Sequence, residues 1–529
     1  MTTLTHAPVP AKPAAGTDRG LKLLFTGLVL SMLLAALNQT VLSTALPTMV
    51  GELHGVDQML WVITAYILAS TVVMPAYGKL GDLIGRKGLL IAAIVLFVVG
   101  SVFGALAKNM SWLIVGRAIQ GLGGGGLMIL AQAIIADVIP ARERGKYMGA
   151  MGGVFAFSSV AGPLLGGWFT EGPGWRWAFW INIPLGAIAV LAAIFFLRLP
   201  KGSMVRPRVD YAGMGLLGIA TTCLILVSTW GGGQYAWTSP TILGLVAGTI
   251  LAGIAFVLVE RRAAEPIVPL HLFRDLNFNL STFGGLIIGI AMFGAIAYLP
   301  TYLQMVTGAS ATVAGLLMIP MMGALLLTSM LSGFYVSRTG RYKWLTIAGS
   351  VFVAVALVLF STLTVDTPVW VICVYLAVMG AGLGPGMQLL VLIVQNSFPA
   401  AEVGTATAAN NFFRQIGASL GAGIVGSVFA ARLVQLLAER LPAGAGAGTG
   451  EMKSFTPELV NSLPDALRRP IIESYNDALA PIFLYVLPLV IVATVLFCFI
   501  KEKPLATTIE RKPSAREDRD GSTAPALRS

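Results

Sequence analysis

The chain is 529 residues long, 56% apolar and only 11% charged, with a mean hydropathy of +0.82. That balance excludes an ordinary water-soluble domain and identifies an integral membrane protein. The net charge of +11 is no sign of nucleic-acid binding, because the basic residues fall in short loops between apolar runs, where they orient helices in the bilayer.

In chain order, residues 1–21 form a polar tail rich in Pro, Ala and Thr, expected to be disordered and cytoplasmic. The apolar run at 22–46 is too long for the h-region of a signal peptide and matches the ~20 residues of a spanning helix. Further runs near 59–79, 88–107, 112–135, 146–169, 177–199, 211–230, 240–260, 279–303, 311–333, 343–363, 368–394, 406–431 and 480–500 bring the total to about fourteen. Lys and Arg in alternate short loops number sixteen on one side, from Lys79 to Lys343, and two, Lys108 and Arg176, on the other. That asymmetry predicts that both termini are cytoplasmic. A long external segment, 432–480, holds the tract Ala443 to Gly448 and an apolar set, Leu459, Leu463, Leu467, Ile471 and Ile472, suited to the membrane interface. Pro464 and Pro470 are expected to prevent one continuous helix there, and the charged segment after Lys501 is expected to be disordered.

The loop after the second run, Gly78-Lys79-Leu80-Gly81-Asp82-Leu83-Ile84-Gly85-Arg86-Lys87, has a degraded copy at Gly333-Phe334-Tyr335-Val336-Ser337-Arg338-Thr339-Gly340-Arg341-Tyr342-Lys343. A shift of 255 residues lays Gly78 on Gly333, Asp82 on Ser337, Gly85 on Gly340 and Arg86 on Arg341. A shift of 259 lays Ser158 on Gly417, Gly162 on Gly421 and Gly167 on Gly426. The chain therefore reads as two six-helix halves, 22–200 and 276–500, with helices 7 and 8 and their linkers inserted at 201–275 and a second tail at 501–529. Repeated halves with substrate held between them near the midplane are a transporter arrangement.

Over about residues 25–500 these features resemble the major facilitator superfamily, specifically its fourteen-helix branch of drug:proton antiporters. The resemblance is carried by Gly78, Asp82, Gly85, Arg86 and Lys87 in the helix 2–3 loop, and by Arg117, Gln120, Gly121 and Gly123 in helix 4. The antiporter motif of helix 5 is matched by Gly149, Gly162, Pro163, Gly166 and Gly167, with Ser158 where the family usually has glycine. Trp175 to Asn182, Glu265 to Leu270 and Asn410 to Gly417 add branch-like stretches. The resemblance implies an all-α major facilitator fold, and export of drug-like or amphipathic small molecules across a bacterial plasma membrane by alternating access and proton antiport. It further implies a monomer among membrane lipids, control of leakage by the helix 5 seam, and a part for Arg117 in proton transfer. Export of a lipid, siderophore or other endogenous metabolite, and uncoupled facilitation, stay open as alternatives.

The residues carry physical readings of their own. Glycines in the helix 2–3 loop permit a tight turn, and Asp82 can accept from helix N-termini or pair with a basic residue when the cytoplasmic side closes. Asp137, with Arg142, Glu143 and Arg144 after it, extends that charge set. Glycines in helix 5 cost helix propensity and are explained by close approach of another helix, with Pro163 as a kink. Arg117 and Arg414 are basic residues inside apolar runs, about 8 Å from the external end of helix 4 and about 10–12 Å from the cytoplasmic end of helix 13 at 1.5 Å per residue. Such charges must face protein or a wet cavity.

None of the 24 acids falls near the middle of a span, and helix 1 reads Leu37-Asn38-Gln39-Thr40 where the resembling branch usually has Asp for Asn38. That absence favours neutral, zwitterionic or anionic amphipaths over permanent cations. Candidate cavity residues are the polar groups on otherwise apolar helices: Asn38, Gln39, Tyr66, Gln120, Gln132, Tyr298, Gln304, Gln388, Gln395, Asn411 and Gln415. Enzymatic function is not expected, since no His/Asp cluster or carboxylate pair is placed for a shared cavity, and a primary pump is disfavoured because no Gly-x-x-x-x-Gly-Lys-Ser/Thr loop exists. No cofactor or metal is expected, because His6, His54 and His271 lie in the tail or in loops; Cys223, Cys373 and Cys498 sit in separate runs and suggest no disulfide.

Overall fold

In hydrocarbon every backbone N–H and C=O needs an internal partner, so apolar runs of this length fold as helices. The computed structural model describes residues 18–55, 58–197, 209–440, 460 and 463–507, and among them fourteen helices are long and apolar enough to cross a membrane. They are α1 (Lys22–Leu53), α2 (Met59–Ile84), α3 (Arg86–Ala105), α4 (Met110–Val138), α5 (Ala141–Glu171), α6 (Trp177–Phe196) and α7 (Tyr211–Trp230). The remainder are α8 (Pro240–Glu260), α9 (Leu276–Thr307), α10 (Thr312–Thr339), α11 (Lys343–Ser361), α12 (Val369–Gln395), α13 (Val403–Arg440) and α14 (Ala466–Cys498). The basic residues 198–208, the tract 443–448, Leu459, Asp57 and most of both tails lie outside the described residues.

Small residues decide which helices touch, and the two halves repeat the same wiring. A Cβ on Gly123 would lie 2.5 Å from the Phe97 amide nitrogen, and one on Gly125 would lie 2.9 Å from the Val73 side chain, so α4 is wedged between α3 and α2. In the second half a Cβ on Gly382 would lie 2.6 Å from Gly349 O and one on Gly384 2.6 Å from Leu325 O, which wedges α12 between α11 and α10. Gly166 meets α1 at Val41 O (2.7 Å), and its counterpart face on α13 meets α9, where a Cβ on Gly421 would lie 2.7 Å from Ile290 Cα. Close backbone approach of this kind is how helices associate where lipid competes with apolar side chains.

The inserted pair lies outside the halves. Its α7 packs on α2 through a Trp61–Trp230 edge contact (5.6 Å) and on α13, where a Cβ on Gly423 would lie 2.6 Å from the Ser228 carbonyl carbon. Leu243, Ile250, Leu251, Ile254 and Leu258 of α8 are exposed, the pattern of a lipid-facing helix.

Two expectations are overturned. Residues 432–440 and 465–480 are not an interfacial loop: α13 continues to Arg440 and the last helix begins at Asp465, running through Pro470. The two extensions hold each other, with Arg440 Nη2 on Asp477 Oδ2 at 2.6 Å and Arg432 Nη2 on Asp477 O at 3.3 Å. Pro470 stands early in its helix and forfeits one backbone bond, while Ile471 and Ile472 are buried in the second-half core. Residues 501–507 are not free either. They cross the end of the second half as an extended strap, with Lys501 paired to Asn277 through both backbone groups (2.7 and 2.9 Å). Glu502 Oε1 accepts from the Tyr342 and Lys343 amides at 2.8 and 3.1 Å, capping α11. Lys503 Nζ pairs with Asp275 (2.9 Å), its amide donates to Tyr342 Oη (2.6 Å), and burial pushes that phenol above its usual range, so it stays protonated. Arg142 of the first half reaches the strap as well, its amide donating to Ala506 O at 3.1 Å.

Candidate functional site

The face that carries the α2–α3 turn is the basic face, and there α2 of the first half meets α13 of the second. Gly85 makes the turn at φ +97°, a region closed to most side chains. One residue on, Arg86 is buried, donating from Nη2 to Asp82 Oδ1 (2.6 Å) and from Nη1 to Ala133 O (2.6 Å), and ion-pairing with Asp137. Asp82 crosses the interface. Its Oδ1 accepts from the Gly404 amide at 3.1 Å, and its Oδ2 accepts from the Thr405 amide (2.7 Å) and hydroxyl (2.8 Å). A carboxylate thus sits on the N-terminal amides of α13, where the helix dipole favours negative charge. Gly78 lets α2 come this close, since a Cβ there would lie 2.7 Å from Gly404 O.

The duplicate site is joined with reversed polarity. Ser337, in the place of Asp82, has no charge to offer; instead Arg142 at the start of α5 donates to the α10 carbonyls of Ser337 (3.1 Å) and Arg338 (2.9 Å). Cation on a helix C-terminus replaces anion on an N-terminus. Gly145 and Gly333 face each other beside it, a Cβ on Gly145 falling 3.0 Å from Gly333 O. Farther up α5, Gly149 lies against Ser329 O (2.7 Å) and Pro163 approaches Gly315 of α10. Gly162 and Gly166 turn to α1, Ser158 O accepts from Thr40 Oγ1 (2.8 Å), and Gly167 faces open space. The helix 5 motif therefore serves two different seams.

Above the paired contacts runs a polar layer between the halves. Asn411 Nδ2 of α13 donates to Gln132 Oε1 of α4 (2.9 Å), Gln395 Nε2 of α12 to Gln132 O (3.3 Å), and Arg414 Nη2 to Asn411 Oδ1 (2.6 Å). Gln388 is buried near Gly152, with its carbonyl oxygen unpaired. The other predicted residues lie elsewhere. Arg117 is buried within the first half, donating to Val62 O (3.1 Å), Asn38 Oδ1 (2.6 Å) and Gln120 Oε1 (2.8 Å), with the Tyr66 ring 4.3 Å away. Gln120 continues to Ser101 Oγ (2.7 Å), which Asn182 also reaches (3.2 Å). Tyr298 is tied to Ala422 O (2.9 Å) and Gln304 to Pro300 O (3.3 Å); Gln39 is exposed and Gln415 half-buried. Lys87 donates to Ile194 O (2.8 Å), and Arg144 of α5 closes the C-terminal end of the preceding helix α4 at Ile139 O (2.9 Å) and Ala136 O (2.7 Å), so neither bridges the halves. Sequence reasoning misses Thr405 and Glu260. Only a carboxylate at the very end of an apolar run marks Glu260, and nothing marks Thr405.

Two repeated helical halves that cross a membrane and meet through separable polar contacts at one face are the architecture of a membrane transporter. Residues 28–422 match the Major Facilitator Superfamily, and the chain belongs to it. It is 41% identical to an uncharacterized MFS-type transporter of Mycobacterium tuberculosis over 91% of this chain and 70% of that one. It is 35% identical to the multidrug transporter protein MdtP of Bacillus subtilis, over 90% of this chain and 93% of the relative. The solved proton:xylose symporter XylE shares the fold at a TM-score of 0.56 with 17% identity, covering 93% of this chain and 98% of that one.

Proposed function

We propose that this transporter exports drug-like or amphipathic small molecules across a plasma membrane by alternating access coupled to protons, with the basic face and both termini cytoplasmic. The observation that carries the reading is Asp82 seated on the N-terminus of α13: a buried charge held across the two halves by hydrogen bonds that separation would break together. Such a contact is bistable, since the freed carboxylate keeps Arg86 while the helix end returns to water. The likeness to a relative named as a multidrug transporter supports export of drug-like molecules.

Arg117 is buried, Arg414 is half-buried and, among the described residues, neither is ion-paired with a carboxylate. That supports neutral, zwitterionic or anionic amphipaths as cargo. Efflux of an ethidium-like cation that survives loss of both Asp82 and Asp137 would sink this substrate class. Asn38 beside Arg117 favours one alternative, uncoupled facilitation, because the amide carries no exchangeable charge. Proteoliposomes decide: a proton gradient of either sign should drive substrate flux, and flux indifferent to collapse of the gradient overturns coupling.

A further inference from the structure

A carboxylate pair outside the two halves, Asp210 and Glu260, closes the ends of the inserted hairpin. Asp210 precedes α7 and caps it, Oδ1 accepting from the Gly213 amide at 2.8 Å. Glu260 ends α8, and its Oε1 accepts from the Ile267 and Val268 amides at 3.0 and 3.3 Å, which folds the linker back under the hairpin. Each acid keeps one oxygen, Asp210 Oδ2 and Glu260 Oε2, buried with no donor, and Glu260 as a whole is 3% exposed. The two acids converge beside Gly213, where a Cβ would collide with Asp210 Oδ2 and lie 3.2 Å from Glu260 Oε1.

Two ionised carboxylates so placed combine like-charge repulsion with two buried acceptors left unsatisfied. One proton bound by the pair removes the repulsion and turns one unsatisfied acceptor into a neutral hydroxyl, which is less costly to bury. A cavity of about 280 Å³ lined by Asp210, Leu258, Val259, Arg262 and Ala263 opens beside Asp210.

We propose that Asp210 and Glu260 form a proton-binding site in which the two carboxylates share a single proton drawn from the bathing solution. The charged groups facing it are Lys79 of α2, whose ammonium is held by Glu265 at 2.6 Å, and Arg262 at the cavity rim. Loss of the proton draws Lys79 toward the pair and away from Glu265. Lys79 lies one turn before Asp82 on α2, so the occupancy of the site acts on the helix that carries the interface carboxylate. The inference is independent of the exported substrate.

The test is pH-difference infrared spectroscopy of the full-length protein, reading the carbonyl band of protonated carboxyls. Wild type should show at neutral pH a band that is absent from both Glu260→Gln and Asp210→Asn. Each amide keeps the acceptor that caps α7 or holds the linker, and it mimics the protonated acid. Wild-type thermal stability should therefore fall as pH rises through the titration of the site, since the folded chain holds a proton that the unfolded chain releases, while both variants stay flat. A band retained in either variant overturns the sharing. Lys79→Gln, which leaves both acids in place, guards against misfolding of the amide variants: removing the facing cation should carry the band to higher pH, and a titration unmoved by it overturns the site.

Discussion

Asp82 accepts from Arg86, Gly404 and twice from Thr405, and only the carboxylate's two oxygens can serve these donors together. Asp82→Ala leaves Arg86 beside Asp137 but strips the α13 N-terminus of its anion. A hydrogen bond to a charged group contributes about 1.5–3 kcal/mol, so loss of the bonds to Gly404 and Thr405 should lower the ratio of closed to open basic face by about one to two orders of magnitude. Spin-label distances between α2 and α13 would read this, and an unchanged distribution would show that Asp82 holds nothing closed. Asp82→Asn asks a separate question: pH-driven exchange that persists in it makes Asp82 a clasp and not a proton carrier. At the other end of the first half, Asn38 Nδ2 is buried without an acceptor while Oδ1 receives Arg117. Asn38→Asp removes that orphan donor and gives Arg117 a counter-charge, so thermal stability should rise by about 1–2 kcal/mol and cation export should appear. A lower melting temperature would contradict the geometry. Here the residue types were legible from sequence, but their partners were not: nothing in the spacing of Asn38, Tyr66, Gln120 and Arg117 distinguishes a cavity wall from a closed network inside one half.

At the scale of the element, α5 shows what a motif hides. Its glycines look equivalent in sequence, yet Gly149 abuts α10, Gly166 abuts α1 and Gly167 abuts nothing within 4 Å. Gly149→Leu should abolish transport by holding the halves apart, and Gly166→Leu should lower stability by prying α5 from α1. Gly167→Ala should be neutral or stabilising by up to about 1 kcal/mol through helix propensity. Transport and melting measured on the three variants would separate them, and equal damage from all three would refute the division of the seam. Helix existence was legible throughout because hydropathy and length dictate it. The extents of α13 and α14 were not, since Arg432, Arg440 and Asp477 make polar extensions stable only by pairing with each other.

Across the whole molecule, the strap at 501–507 joins the start of α9, the start of α11 and the end of α12, and touches Arg142 of the first half. Truncation after Ile500 should therefore lower the melting temperature by several degrees, through the lost α11 cap and the lost Asp275 pair, at about 1 kcal/mol for the cap. Equal melting of the truncated and full-length proteins would remove any structural part for the strap. The sequence by itself determined the solvent, the number of spans, the duplication and the family, because burial in lipid and repeated glycine patterns are written locally along the chain. Tertiary structure alone decided that the two copies of the loop close by opposite electrostatics, Asp82 on a helix N-terminus and Arg142 on a helix C-terminus. It also decided that Asp210 and Glu260, fifty residues apart, face one another. Those pairings depend on how α2, α7, α8 and α13 pack, and the distance between helices in space is not a property of any segment taken alone.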